Sequence, residues 1–103
     1  MQAHDGEKLH VGQWVAVAYN EDFYVGQVTN ILSNNGGVKI KFLTKKKDGF
    51  YKWPQLKDTD LVSTEYIFHS KPAVQKVGSA FVLNDENMVI NLYDSYKKKY
   101  LTS

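Results

Sequence analysis

Residues 12–42, GQWVAVAYNEDFYVGQVTNILSNNGGVKIKF, set the narrowest limit on how this chain folds. Apolar residues recur there with a period of two, and turn-forming residues interrupt them twice, so the stretch reads as three short β-strands in a meander. In residues 14–19, Val15, Val17 and Tyr19 fall on one side, with Trp14, Ala16 and Ala18 on the other. Asn20, Glu21 and Asp22 turn the chain. Residues 23–31 carry Phe, Tyr, Val, Thr and Ile, types that fit a pleated, half-buried surface. Ser33, Asn34, Asn35, Gly36 and Gly37 then supply the residues that tolerate positive φ, as tight hairpins require. Residues 38–42 set Val38, Ile40 and Phe42 against Lys39 and Lys41, which predicts one face in the core and one in water.

Beyond the meander the segments are shorter and more polar. Lys45, Lys46 and Lys47 lead into Asp48-Gly49, most simply a solvated turn, with a phosphate contact as the functional alternative. Residues 50–54 predict a fourth strand ended by Pro54, with Phe50 on one side and Tyr51 and Trp53 on the other. Asp58-Thr59-Asp60 predicts the start of one helical turn, and Leu61-Val62 a fifth strand that closes a small barrel and removes its edges. Residues 65–68 form a further β-prone patch ended by His69, and residues 78–83 an additional strand or an extended strip over the barrel. The period then changes. Asn84 or Asp85 is placed as an N-cap, Glu86 adds to the acids of the first turn, and Val89, Leu92, Tyr93, Tyr96 and Tyr100 make an amphipathic stripe. A helix over about 85–100, with Lys97, Lys98 and Lys99 at its favourable end, is the expectation, acting as a lid on the barrel or as a partner-binding helix.

Composition bounds the function. At 103 residues the chain predicts one small domain, with 1–10 as a loose lead-in, 11–63 as the barrel and 64–103 as an extension of the same domain. Thirteen basic residues against 11 acidic give a formal charge of +2, too mild a balance to argue for nucleic acid by itself. Without cysteine, disulfides, cysteine-based zinc sites and cysteine nucleophiles are excluded. His4 and His10 lack a carboxylate set with metal-ligand spacing, and His4, His10 and His69, expected in loops, form no serine-acid constellation. No cofactor, metal or catalytic residue is therefore assigned. No apolar run reaches the roughly 20 residues of a membrane span, and the N-terminus lacks the apolar core of a signal peptide, so the expectation is a soluble chain, or a domain cut from something larger, with no membrane partner.

The order G-x-W-V-A-V-x-Y, an acidic turn, F-Y-x-G-x-V, a Gly-rich hairpin and V-x-I-x-F resembles the Tudor domains of the Royal superfamily over roughly residues 11–62. The matching positions are Tyr19, the turn 20–22, Tyr24, Gly26 and Phe42, while Pro54 and everything after Thr64 fall outside the pattern. The resemblance implies a mainly β fold, a small five-stranded antiparallel SH3-like barrel, here with a C-terminal helix packed on it. It also implies a non-enzymatic module that reads a peptide, with methylated lysine or arginine held in an aromatic cage. The physical basis is the attraction of a poorly hydrated cation to the negative faces of the rings, about 0.5–2 kcal/mol per good contact.

Carried over residue by residue, the resemblance gives Tyr19, Tyr24 and Phe42 as walls and Tyr51 or Trp53 as a fourth, with Asp22 or Glu21 as the acidic group. The implied partner is a protein or peptide, such as a methylated histone or other methylated tail, in a chromatin- or RNA-associated setting, nuclear or alternatively cytoplasmic. The lysine-rich segment 45–49 departs from the family pattern and opposes a cationic ligand unless it points away. Two further readings stand beside this one. Lys39, Lys41, Lys45, Lys46 and Lys47 with Tyr51 as a stacking platform make a nucleic-acid interface, and barrel and helix together make a protein-protein scaffold.

Overall fold

The computed structural model describes residues 9–19, 21–32, 37–56 and 58–101. Most of the lead-in with His4, position 20 of the first turn and residues 33–36 of the Gly-rich hairpin lie outside the described residues. In chain order the elements are β1 (Trp14–Ala18), β2 (Phe23–Ile31), β3 (Val38–Phe42), β4 (Thr44–Lys45), β5 (Tyr51–Lys52), β6 (Thr59–Val62), a 3₁₀ turn (Thr64–Tyr66), β7 (Ile67–His69), β8 (Val74–Val77), β9 (Ala80–Leu83), α1 (Glu86–Tyr96) and a wider π-type turn (Lys97–Leu101). The fold is mainly β, with two antiparallel sheets and a C-terminal helix.

The expected meander forms the centre of the first sheet, whose order is β6-β3-β2-β1-β7. Its outer members differ from the sequence expectation. Thr59 and Asp60 extend as strand beside β3 instead of starting a helical turn, because the two residues continue the ladder that Leu61 and Val62 make with Lys39 and Val38. The strand beside β1 comes from Ile67–His69, beyond the expected 11–63 boundary, so His69 ends a strand and is not in a loop. The chain leaves this sheet at consecutive buried residues, Phe42 and Leu43, which pack into different cores. That bend sends Tyr51-Lys52, expected as the barrel's fourth strand, into the second sheet, ordered β4-β5-β9-β8.

The first sheet does not close, since β6 and β7 are separate edges. It is nevertheless curled. The link from Val62 to Ile67 contains the 3₁₀ turn Thr64–Tyr66, which cuts its reach from about 18 Å to about 14 Å. A flat sheet of five strands would hold its edges about 19 Å apart.

Both faces of the curled sheet are covered, which is why β1 is buried along nearly its whole length. Val15, Val17, Val28, Val38, Ile40, Phe42, Val62 and Ile67 fill the inner face. Ala16, Val25, Leu43, Tyr51, Phe81, Leu83 and Val89 make the outer core, with Trp14, Phe23, Trp53 and Phe68 packed at its margin. The small Ala16 lets α1 come close, and the helix buries Val89 and Tyr93 there while Leu92 and Tyr100 of the expected stripe stay exposed. Asp85 is the N-cap position, but its carboxylate caps no helix N–H. It accepts from Ala73 N (3.0 Å) and meets His69 Nε2 (3.2 Å), tying the helix start to β7.

Candidate functional site

Three rings gather at one end of the inner face of the curled sheet. Tyr19 follows β1 in the same phase as Val15 and Val17. Tyr24 pairs with Val17 across β1 and β2, and Phe42 pairs with Gly26 across β2 and β3. Ring centroids are 5.1 Å apart for Tyr19 and Tyr24, and 6.2 Å from Phe42 to each tyrosine. The interplanar angles are 89°, 78° and 73°, so the three planes are nearly mutually perpendicular, like the faces of a box corner. Phe42 is 3% exposed and forms the floor, whereas Tyr24 is 45% exposed and forms a wall. Gly26 makes the room: a Cβ there would lie 3.0 Å from Phe42 Cδ1 and 2.5 Å from Ile40 Cγ2.

A carboxylate stands beside the rings. Antiparallel partners share a face, so the register of β6 on β3 sets Asp60 beside Ile40 and, one step on, Asp58 beside Phe42. The Tyr19 hydroxyl donates to Asp60 Oδ2 at 3.3 Å, and Leu61 N–H donates to Asp60 Oδ1 at 2.9 Å, which fixes the carboxylate at the rim. Burial and then the negative charges of Asp60 and Asp58 push the Tyr19 hydroxyl up to about 12. On the other side of Tyr19 lies a cleft of about 350 Å³, lined by Val17, Ala18, Asp60, Leu61, Ser63 and Tyr66 among others. Tyr19 and Asp60 thus border both the ring corner and the cleft.

The remaining candidates lie elsewhere. Tyr51 and Trp53 do share a side, as alternation predicts, but that side belongs to the outer core. Trp53 stacks on Trp14 at 5.7 Å and meets Phe81 at 5.7 Å. Tyr51 is 6% exposed and its hydroxyl donates to Glu86 Oε2 at 3.1 Å, and burial followed by the Glu86 charge raises its pKa. Neither ring meets the corner. Asp22 is committed to the first turn, where its Oδ1 accepts from Phe23 N at 2.7 Å, and its charge acts on Tyr51 and Tyr93, which belong to the outer core. Asp60 and Asp58, and not Asp22, are the carboxylates on the face of Phe42, with Asp60 hydrogen-bonded to Tyr19. Asp58-Thr59-Asp60 carries the signal, since treating it as strand puts both acids on the face of Phe42.

The lysines divide. Lys45 pairs with Glu86 at 2.8 Å, and that contact is the main reason the Glu86 carboxyl sits below its ordinary value. Lys41 Nζ sits 4.1 Å over the Trp53 ring. Lys39, Lys46 and Lys47 are exposed. Lys45 therefore points to the start of α1 and not to the rings. The helix covers the outer core and meets the corner only from behind, where the Tyr93 hydroxyl donates to Tyr19 O at 2.6 Å. Among the described residues no group of three His, Asp or Glu side chains has metal-binding geometry, and no helix is long and apolar enough to cross a membrane. No protein-family model, curated protein or solved structure matches the chain.

Proposed function

We propose that this chain is a non-enzymatic Tudor-like binding module, an SH3-like curled sheet that takes a methylated lysine or arginine side chain of a peptide between Tyr19, Tyr24 and Phe42. The observation that carries the reading is the corner of perpendicular rings with Asp60 fixed 3.3 Å from the Tyr19 hydroxyl. Methylation strips water from an ammonium or guanidinium group without removing its charge, so ring faces compete well with solvent for it. An ordinary lysine keeps its hydration shell and gains less. The carboxylates of Asp58 and Asp60 neutralise the bound charge. Strand order and the short turn joining the two edge strands support the SH3-like description. The partner that goes with this reading is a methylated histone tail or a comparable methylated tail, in a nuclear, chromatin- or RNA-associated protein.

Titration with otherwise identical peptides carrying unmodified, mono-, di- and trimethylated lysine, or unmodified and methylated arginine, tests the proposal. A methylated form should bind about tenfold or more tightly than its unmodified counterpart, equivalent to one good cation–π contact, and Tyr24→Ala should remove the difference. Equal, negligible binding of all the peptides to the wild-type chain would end the reading. Nucleic-acid binding is the weaker alternative, because Lys41 and Lys45 are already engaged by Trp53 and Glu86. It requires binding to oligonucleotides that weakens steeply as salt rises.

A further inference from the structure

The ring corner accounts for one side of Tyr19. The other side faces the gap that the unclosed sheet leaves between β6 and the end of β1. The cleft of about 350 Å³ occupies that gap, a volume at the lower end of those that hold ligands. Its walls are apolar at Val17, Ala18, Leu61 and Val62, with the hydroxyl-bearing Ser63 and Tyr66 also in its lining. β6 is an edge strand. Phe42 N donates to Asp58 O at 2.8 Å, which makes these two a hydrogen-bonded pair of the ladder. Ladder pairs alternate, so Asp60 and Val62 also turn their main-chain groups toward β3, and Thr59 and Leu61 turn theirs outward. Of these outward groups, Leu61 N–H is taken by Asp60 Oδ1. Thr59 N–H and the two carbonyls remain along the edge.

Resting on the recognition of a methylated cation argued above, we propose that the peptide carrying the cation binds as an added strand on the free edge of β6, with the side chain two residues from the cation in the cleft. Residues i and i+2 of an extended chain lie on one face about 6.6 Å apart, and the ring corner and the cleft are neighbours that share Tyr19 as a wall. An edge strand offers main-chain hydrogen bonds for affinity, and alternate side-chain pockets give selectivity. The occupant is a basic, extended peptide. Asp58 and Asp60 make this end of the sheet acidic although the whole chain carries a formal charge of +2. The residue two positions from the cation is small to medium and apolar, matching the walls of the cleft.

Two probes separate this proposal from the reading beneath it. One is acetyl-trimethyl-lysine N-methylamide, which reaches only the ring corner. The other is a seven-residue peptide with trimethyl-lysine at its centre, valine two residues to either side and alanine elsewhere. On the wild-type chain the peptide should bind about tenfold more tightly than the single residue. Backbone N-methylation of one alternate set of peptide amides should abolish that gain while the other set preserves it, because only one set faces β6. Tyr66→Ala should bring the ratio of the two affinities toward one. Equal affinity for both probes, or equal sensitivity to either N-methylation set, overturns the added strand and leaves the ring corner standing. Failure of both probes to bind removes the ring corner and this proposal with it.

Discussion

Gly26→Ala distinguishes a structural reason for that glycine from a merely conformational one, because the two predict opposite signs. Alanine in a strand interior is ordinarily better than glycine by about 0.5–1 kcal/mol, since glycine loses more backbone entropy on folding. Tertiary contact reverses this. The new methyl would lie 2.5 Å from Ile40 Cγ2, 2.6 Å from Lys41 O and 3.0 Å from Phe42 Cδ1. Ordinary carbon contacts are about 3.5–4.0 Å, so the overlap is roughly 1 Å, and one obstacle is a main-chain carbonyl in the ladder between β2 and β3. Overpacking of this kind costs typically about 1–3 kcal/mol. Relief requires the strands to part or Phe42 to move. A net loss near 2 kcal/mol lowers the Tm by about 8–16 °C in a domain of this size and leaves it folded, given a total stability of about 5–15 kcal/mol. Thermal and urea denaturation followed by circular dichroism measures the loss, and methylated-peptide titration at a temperature where the variant is folded measures the damage to the corner. Gly49→Ala is the comparison: its φ of +89° strains any side chain but nothing lies within 4 Å. It should lose about 1–2 kcal/mol and keep full ligand affinity. A Gly26→Ala protein as stable as the wild type, with unchanged binding, would refute the packing argument.

Trp53→Ala should lower stability by about 2–4 kcal/mol through loss of the stack on Trp14 and the contact with Phe81, yet leave methylated-peptide affinity unchanged at temperatures where it is folded; a selective loss of binding in calorimetry would return Trp53 to the site. Above pH 10 the chain should lose stability progressively. Tyr19, with its pKa pushed up to about 12, and the likewise raised Tyr51, Tyr93 and Tyr96 hold their protons more tightly folded than unfolded. Their stabilising contribution is thus full below the unfolded value near 10 and is lost as pH rises through the folded values, and denaturant midpoints across pH 8–12 would reveal a flat profile if this is wrong. Glu86 shifts the opposite way. Its lowered pKa contributes stability above the ordinary carboxylate value of 4.5 that is lost as pH falls through the folded value. Because the Lys45 and Glu86 side chains are 53% and 35% exposed, Glu86→Gln should cost at most about 1 kcal/mol at pH 7 and reduce the acid-induced loss in midpoint experiments.

The meander was legible because it is local: strand phase places Val15, Val17 and Tyr19 together, whereas Tyr24 and Phe42 join Tyr19 as a trio only through the resemblance to Tudor domains. Phe42 comes opposite Gly26 only because the register of β2 on β3 shifts between Val28 and Asn30; the register at Ile31 and Val38, carried on unshifted, would set it opposite Gln27. What the sequence left open depends on long-range choices. Residues 50–54 alternate as a strand in either sheet, and only the pairing of Tyr51 with Phe81 decides which. Trp53 therefore reads as a surface ring while its partners, Trp14 and Phe81, sit far away along the chain. The acid is displaced for a similar reason. Asp22 is close in sequence to Tyr24, but its carboxylate is consumed by the turn it stabilises. Asp60 reaches Tyr19 across 41 residues.

Burial of the first sheet on both faces explains how the exposed Tyr24 ring is held in place. A curled sheet covered on its inner face alone would rely on the floor residue Phe42 to hold its mouth in shape. Here the same strands are backed from outside by α1 and the second sheet, and the Tyr93 hydroxyl fixes the main chain at Tyr19, where β1 ends and the wall begins. The second sheet is attached in turn through Glu86, which receives both Lys45 of β4 and Tyr51 of β5 at the start of the helix. Residues 64–101 therefore do more than append a lid. They supply one edge strand of the first sheet, Phe81, Leu83 and Val89 of the outer core, and the hydrogen bond behind Tyr19, so that the ring trio is held by groups on the far side of the sheet.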